Sequence, residues 1–148
     1  MRGRAHKYGA RKITTIHGDF DSVGEAKWYG DLKLRELAGE ISRVRRPEPF
    51  DLIVENPITG ALTSVGTYRA DGAWFEPGVE GEQFGDFKGM DTQQSALRRK
   101  LVLALYGIRV RVFTSKGEKK QRRFKGEPAA KKKGRRRLND DPAHAPAS

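Results

Sequence analysis

The sequence lacks cysteine entirely, and it has few other residues that commonly bind transition metals. Its three histidines, His6, His17 and His144, share no ligand spacing. Without cysteine the chain forms no disulfides, uses no thiolate nucleophile and builds no zinc site of the usual cysteine-containing kind. We therefore expect a cytosolic type of protein, in which any bound metal has oxygen ligands.

Long apolar segments are also missing from the sequence. No run approaches the ~20 apolar residues that a membrane-spanning helix needs. The basic N-terminus is not followed by an apolar stretch, so we expect no signal peptide. These features predict a cytoplasmic protein that has no membrane partner.

The sequence has fewer acidic than basic residues. It contains 19 Asp and Glu against 30 Lys and Arg, which gives a formal net charge of +11. Such an excess predicts a polyanionic partner, most often a nucleic acid. The excess is concentrated at the two ends. Residues 1–12 hold five basic and no acidic residues, and residues 115–148 hold twelve basic and four acidic ones, whereas residues 13–114 are slightly acidic.

A chain of 148 residues supports a single domain. We place it at residues 13–114, between a basic N-terminal arm of residues 1–12 and a basic tail of residues 115–148. The tail has too few apolar side chains to offset the entropy of ordering, so we expect it to be disordered in isolation. It either contacts phosphates non-specifically or only keeps the protein soluble. The basic residues that would make such contacts are Lys131, Lys132, Lys133, Arg135, Arg136 and Arg137.

Helix and strand signals alternate through this domain and predict a mixed α/β fold. Ser22 and Glu25 have the spacing of a capping box at the start of a helix, and Gly39 follows its expected end. The turn sequence at 56–60 predicts a hairpin between two β-rich segments. In chain order, the predicted elements are a strand at 12–16, a helix at 22–37, strands at 41–46, 50–56, 65–75 and 83–88, a helix from 91 or 92 to 106, and a closing strand at 108–113.

The most informative motif is Asp86-Phe87-Lys88, on the predicted strand at 83–88. Side chains two apart on a strand share a face, so Asp86 and Lys88 project together while Phe87 faces the other way. Asp71, on the preceding β-rich segment, supplies a second carboxylate, and Glu25 lies in the first turn of the first helix. Carboxylates that hold a divalent cation beside a lysine suit phosphodiester hydrolysis, because the cation neutralises charge and helps to ionise water.

Each of these residues also has a simpler explanation. Helix capping accounts for Glu25, and Asp71 precedes a glycine and therefore suits a turn or a bulge. Asp86 and Lys88 alone are compatible with a surface ion pair worth under ~1 kcal/mol. The combination of a helical Glu, a strand Asp and an Asp-x-Lys strand, in this order, is what favours a nuclease site.

Asp71 and Asp86-Phe87-Lys88, preceded by Glu25 on the first helix, resemble the PD-(D/E)xK nuclease superfamily. More closely, the chain resembles a family of small phage and prophage proteins that is placed in this superfamily. The resemblance spans residues 7–113, and its most specific parts are the first helix and residues 88–92. Further matching segments are residues 7–12, 20–22, 37–41, 68–71, 100–101 and 106–108.

The resemblance implies a restriction endonuclease-like core, in which a mixed central β-sheet is flanked by helices and carries a Mg²⁺-dependent site at one edge. It assigns Asp71, Asp86 and the carbonyl of Phe87 as metal ligands. It also assigns Lys88 as the catalytic lysine and Glu25 as the acid of the first helix. Mn²⁺ is expected to substitute for Mg²⁺.

Two positions depart from the pattern of the family. Ala70 stands where the motif has a proline, which does not take part in the chemistry. Asp86 stands where glutamate is commoner, so the carboxylate reaches less far by one methylene and metal affinity would be reduced.

Several residues of the predicted domain are candidates for contacts with DNA. They are Arg43, Arg45, Arg46, Gln93, Arg98 and Arg99. The three arginines between 43 and 46 form a basic stripe that either follows the DNA or protects an edge strand from aggregation. The two arginines of the second helix would bind backbone phosphates, although a solvated helix face explains them equally. The glutamine would contact the substrate, as polar residues after the lysine do in related nucleases.

These inferences predict a metal-dependent endodeoxyribonuclease that is encoded by a phage, acts in DNA recombination, repair or processing, and is associated with the bacterial nucleoid. Branched DNA as the substrate is a hypothesis that rests on size and superfamily analogy alone. The alternative is a catalytically inactive nucleic-acid-binding protein on the same fold, and a third class is a basic phage structural or ribosome-associated protein. The sequence leaves open whether the nucleic acid is DNA or RNA and whether the chain forms a homodimer.

Overall fold

The computed structural model describes residues 11–125. In this part of the chain none of the helices is long and apolar enough to cross a membrane. The elements are β1 (Ile13–Thr15), β2 (Gly18–Phe20), α1 (Val23–Leu37), β3 (Ser42–Arg45), β4 (Phe50–Glu55), β5 (Leu62–Tyr68), β6 (Gly72–Phe75), β7 (Gln83–Phe87), α2 (Gln93–Tyr106), β8 (Arg111–Thr114) and β9 (Gly117–Lys119).

Helix α1 begins where the capping box predicts it. The Ser22 side chain accepts a hydrogen bond of 3.0 Å from the backbone N–H of Glu25, which satisfies one free donor of the first turn. Tyr29 and Leu32, at helical spacing, are buried on one face of α1. After the helix, Gly39 adopts a φ of +76°, the left-handed conformation that commonly ends a helix. The prediction of this helix is confirmed.

A five-stranded mixed sheet forms the centre of the described domain, in the order β3-β6-β7-β8-β9. β7 and β8 are parallel and are connected through α2, whereas the other neighbouring pairs are antiparallel. A parallel pair needs such a crossover, because the chain must return to the start of the neighbouring strand. β4 pairs with β5, and β1 with β2, in two separate antiparallel ladders. The mixed α/β class and the hairpin at 56–60 are confirmed.

The two helices lie against opposite faces of the central sheet. Ala73 and Trp74 are neighbours on β6, so their side chains point to opposite faces. Trp74 belongs to a buried cluster with Tyr29 of α1, whereas Ala73 belongs to a second cluster with Val102 of α2. Ala73, Trp74 and Val102 are all fully buried. The sheet is therefore flanked by helices, as predicted.

The β-rich segment at 65–75 is two strands of different sheets, where one was predicted. β5 ends at Tyr68 and pairs with β4, whereas β6 begins at Gly72 and belongs to the central sheet. Asp71 lies in the break between them. Asp71 therefore lies where the chain passes from the β4–β5 ladder into the central sheet. The local sequence does not reveal this transition.

The sheet also extends further along the chain than predicted. The strand predicted to close the fold is followed by β9, which pairs with β8 through Val112 and Lys119. The central sheet therefore continues past residue 114, because β9 forms one of its edges. Residues 1–10 and 126–148, which include most of the predicted arm and the six basic residues predicted in the tail, lie outside the described residues.

Candidate active site

Asp71 and Asp86 are held together at one end of the central sheet by hydrogen bonds that cross between them. The Asp71 backbone N–H donates to Oδ1 of Asp86 at 3.1 Å, and the Phe87 backbone N–H donates to Oδ2 of Asp71 at 2.8 Å. The Asp71 N–H also donates to the Gly85 carbonyl oxygen at 3.0 Å. Backbone groups of the opposite segment therefore position each carboxylate, although 15 residues separate the two aspartates.

The second oxygen of Asp86 faces two further side chains. Asp86 is 0% exposed, and its Oδ2 accepts a hydrogen bond from the Tyr68 hydroxyl. The Lys88 Nζ lies 3.4 Å from the same oxygen. Asp86 and Lys88 therefore do project together, although β7 ends at Phe87 and Lys88 directly follows it. The sequence analysis did not single out Tyr68, whose one signal was its place in a segment that carries the resemblance to the phage proteins. The Tyr68 hydroxyl contacts Asp86 only because the end of β5 lies close to β7 in the fold. No local sequence pattern reveals this proximity.

Glu25 approaches this group from the first turn of α1, beside an arginine. Its side chain is 8% exposed, and its Oε1 lies 3.7 Å from Nη2 of Arg46. The Arg46 guanidinium lies 4.4 Å from the ring centroid of Phe20, and its Nη1 donates to the Asp19 carbonyl oxygen at 2.5 Å. The sequence left open whether Arg46 follows DNA or protects an edge strand. In the structure these contacts hold it at the candidate site.

The acidic side chains of the site are held in surroundings that disfavour their charge. Burial raises the pKa of Glu25 to about 7, Asp71 and Asp21 add to the increase, and Arg46 and Lys88 oppose it. Burial also raises the pKa of Asp71 and of Asp86, and Lys88 is the largest opposing influence on both. Burial thus outweighs the three neighbouring cations, Arg46, Lys88 and Arg99, at these carboxyl groups. An additional cation would therefore stabilise their charged forms.

The raised pKa of Glu25 predicts a pH-dependent effect of Glu25→Gln on stability. Because the folded pKa, about 7, exceeds the ordinary value of 4.5, wild-type stability falls as the pH rises from below 4.5 through 7. Glutamine removes this loss. We expect Glu25→Gln to gain up to about 3 kcal/mol relative to wild type between pH 4 and pH 8, as measured by urea denaturation at several pH values.

Glu48, which is exposed, offers a matched control for this experiment. Glu48→Gln should change the free energy of unfolding by a similar small amount at each pH. A Glu25→Gln variant whose stability parallels the wild type across the whole pH range would show that the buried carboxyl does not ionise at an elevated pKa.

The oxygen donors fit a hard divalent cation in type, but they do not form a closed metal site. Carboxylate oxygens are the ligands that Mg²⁺ prefers, and burial, which raises the pKa of all three carboxyl groups, disfavours their charged forms when no cation is bound. Within residues 11–125, however, no group of three or more Asp, Glu, His or Cys residues is arranged to hold a metal ion. Both oxygens of Asp86 already accept hydrogen bonds from Asp71 and Tyr68.

Close packing between α1 and β7 depends on Gly24. A Cβ atom at this position would lie 2.5 Å from Cε1 of Phe87, which is closer than real contacts allow. The glycine therefore lets the first turn of α1 approach β7 and sets the distance from Glu25 to the aspartates. The side chain of Phe87 serves this packing, while its carbonyl as a metal ligand remains a prediction.

A family match covers most of the chain. Residues 5–121 match the family described as "Protein of unknown function (DUF1064)". The chain belongs to this family. The matched region includes Glu25, Asp71, Asp86 and Lys88 and continues past β9. No curated protein and no solved structure matched the chain.

The arginines of the basic stripe predicted on this DUF1064 protein make different contacts, and their contact with DNA stays a prediction. Nε and Nη2 of Arg45 donate hydrogen bonds to the Glu82 carboxylate, at 2.7 and 3.1 Å. Arg43 adopts an unusual φ of +53°, at a register shift between β3 and β6, and its guanidinium lies 5.6 Å from the ring centroid of Phe75. Of the stripe, Arg43 alone remains exposed without a carboxylate among the described residues.

The candidates on α2 also separate into two kinds. Gln93 and Arg98 are exposed, so DNA contacts by these side chains remain a prediction. Arg99 instead is 8% exposed, and its Nη2 donates to Oδ2 of Asp91 at 2.6 Å. It therefore does not belong to a solvated helix face, because α2 turns it inward against the loop that follows β7.

Proposed function

We propose that this DUF1064 protein is a metal-dependent endonuclease that hydrolyses DNA phosphodiester bonds on a restriction endonuclease-like core. The observation that carries the proposal is the convergence of Glu25, Asp71, Asp86 and Lys88 at one end of the sheet. They come from α1, the β5–β6 break and β7, and Lys88 contacts Asp86 directly. Recombination, repair or processing of phage DNA is the proposed setting.

Each residue of the site has a role that its surroundings support. Asp71 and Asp86 would hold Mg²⁺ with the Phe87 carbonyl, and the ion when bound would supply charge neutralisation at the phosphate and acidify a water. Lys88 would stabilise the negative charge that develops on the phosphoryl oxygens. Glu25, with a pKa of about 7, is partly ionised at neutral pH and suited to accept the proton of the attacking water.

Hydrolysis at this site replaces one bond to phosphorus with another. The water oxygen bonds to phosphorus as its proton passes to Glu25. The bond from phosphorus to the leaving sugar oxygen then breaks, and that oxygen keeps the electron pair and takes a proton from solvent. The products are one DNA end that carries the phosphate and one that carries a sugar hydroxyl. Glu25 then releases its proton to water.

The metal requirement tests the proposed function most directly. Purified full-length protein should nick supercoiled plasmid and a synthetic four-way junction in the presence of Mg²⁺ or Mn²⁺, and EDTA should abolish the activity. Ca²⁺ serves as the control, because it favours more ligands and longer bonds than Mg²⁺ and commonly supports binding without positioning the reacting groups. Cleavage that persists in EDTA would contradict a metal-dependent mechanism.

Nucleic-acid binding without cleavage is a second candidate function, and the hydrogen bonding of Asp86 favours it. Its two oxygens are engaged by Asp71 and Tyr68, as expected of a carboxylate that stabilises a fold and holds no ion. A binder of this kind would lose affinity steeply with salt and would be insensitive to Asp71→Asn. Fluorescence anisotropy with labelled duplex DNA, with and without Mg²⁺, separates the two functions.

A further inference from the structure

A cavity of ≈ 320 Å³ lies beside the candidate active site, between α2, β8 and the segment that follows β9. Apolar side chains, including Val110 and Val112, contribute to its lining. The basic residues that line it are Arg99, Lys100, Arg109, Lys119, Lys120 and Arg122. A concave surface lined by cations focuses its positive potential, because the surrounding protein has a low dielectric constant. Such a surface attracts anions.

The positive charge of this cavity is only partly neutralised. Asp91 is the one acidic residue among the described residues that line it. Its Oδ2 lies 2.6 Å from Nη2 of Arg99 and 3.7 Å from Nζ of Lys119. No carboxylate within residues 11–125 pairs with Lys120 or Arg122. The cavity thus keeps an excess of cations after its own acid is engaged.

Arg99 is a buried part of this cavity and has unused donor capacity. The residue is 8% exposed, and α2 supplies it from the same face as fully buried Val102. Its Nη1 has no hydrogen-bond partner among the described residues. A buried donor without a partner costs free energy, so an acceptor that reached it would be bound favourably. On the opposite wall, Gln121 donates to the Val110 carbonyl oxygen at 2.7 Å, which holds the segment after β9 in place.

The strand register places this cavity close to Lys88. Asp86 is paired with Val112 across β7 and β8, and Val112 is paired with Lys119 across β8 and β9. Two strand spacings amount to about 10 Å. Because phosphates recur every ~3.4 Å of helix rise along one DNA strand, a single substrate can place one phosphate at each of the two sites.

We propose that the cavity between α2 and β9 is a second phosphate-binding site, which holds a backbone phosphate of the DNA whose neighbouring phosphodiester is hydrolysed at Lys88. The proposal rests on the proposed function, since both phosphates belong to one substrate. Arg99 would bind the phosphate oxygens through its guanidinium, and Lys119, Lys120 and Arg122 would neutralise the charge at the rim. Binding there would fix the register of the DNA relative to Asp86.

A charge-matched pair of triple variants tests the cavity. One variant carries Lys119→Gln, Lys120→Gln and Arg122→Gln, and the control carries Lys131→Gln, Lys132→Gln and Lys133→Gln, so that both lose the same formal charge. In a Lys88→Ala background, duplex DNA binding is measured against salt concentration. We expect the cavity variant to bind about tenfold more weakly than the control and to lose about one more unit of salt slope. Equal losses in the two variants would overturn the proposal, because net charge alone would then explain binding.

Inorganic phosphate provides a second measurement that does not depend on cleavage. In the otherwise wild-type protein, the Nε–H resonance of Arg99 and the side-chain amide of Gln121 should shift on titration with phosphate, and Arg99→Lys should weaken the response. Thermal melting of each variant verifies folding. No shift at Arg99, in a protein that still cuts DNA, would overturn the second site and leave the proposed function standing. Phosphate-dependent shifts in a protein that never cuts DNA would support the cavity as an anion site and reject the nuclease.

Discussion

Replacing Lys88 with alanine is expected to lower DNA cleavage by about 10²–10³-fold or more while the protein stays folded. The Lys88 Nζ lies 3.4 Å from Oδ2 of Asp86, and in the proposed mechanism it stabilises the charge that develops on the phosphate. Within residues 11–125, no other lysine forms an ion pair with Asp71 or Asp86. Cleavage is measured in single-turnover reactions with Mg²⁺ and excess enzyme, so that binding differences do not hide the chemical step.

Two further variants show whether a loss of cleavage in Lys88→Ala is due to the missing ammonium group of this lysine. Lys88→Met keeps most of the aliphatic stem but removes the ammonium, and it should be as inactive as alanine with a smaller effect on stability. Lys27→Ala removes an exposed lysine of α1 and should leave cleavage within about twofold of wild type. If Lys88→Ala and Lys88→Met preparations still cut plasmid at the wild-type rate, the activity belongs to another site or to a contaminant.

Asp86→Asn is the second substitution with a large expected effect, at least about 10²-fold on cleavage, because it removes a proposed ligand charge while preserving shape. The fold should tolerate it. The asparagine Oδ1 can accept the Asp71 N–H, and its Nδ2 can donate to the Tyr68 hydroxyl, which both donates and accepts. Because burial raises the pKa of Asp86, the neutral amide also avoids the cost of burying a charge. Chemical denaturation at neutral pH should show no large loss of stability.

Tyr68→Phe is the matched control for Asp86→Asn, because it removes the partner and keeps the carboxylate. If the Tyr68 hydroxyl competes with the metal for Oδ2 of Asp86, the variant should cut DNA at a lower Mg²⁺ concentration than wild type. Loss of the hydrogen bond should cost about 1.5–3 kcal/mol in the metal-free protein. An Asp86→Asn variant that folds and retains cleavage would contradict the assignment of Asp86 as a ligand.

The two functions proposed for the protein differ in how the closed hydrogen bonding of Asp86 is interpreted. In a nuclease, Tyr68 would act as a placeholder that satisfies a buried carboxylate until the metal binds. In a binding protein, the same contact would be permanent, and Asp71, Asp86 and Lys88 would serve only to join β6 to β7. The Tyr68→Phe titration with Mg²⁺ therefore bears on both functions, because only the nuclease predicts a changed metal requirement.

Several features could be predicted because they depend on residues close together in the chain. The Ser22 side chain caps α1 as expected, and Thr92, one of the two residues predicted to start α2, caps the second helix. The shared face of Asp86 and Lys88 follows from the two-residue repeat of a strand. In contrast, the split of the 65–75 segment into β5 and β6 could not be predicted, since both parts have the same β-rich composition and differ only in their partners.

Taken alone, the sequence determined the mixed α/β class, the capped helices, the Asp-x-Lys strand and the concentration of basic residues at the ends. These features arise from local propensity, periodicity and composition. Tertiary structure alone decided that Tyr68 and Lys88 share Asp86, that Arg46 lies beside Glu25, that β9 extends the sheet and that Arg99 turns inward. Such features depend on strand register and on desolvation, and both are set by contacts between residues far apart in the chain.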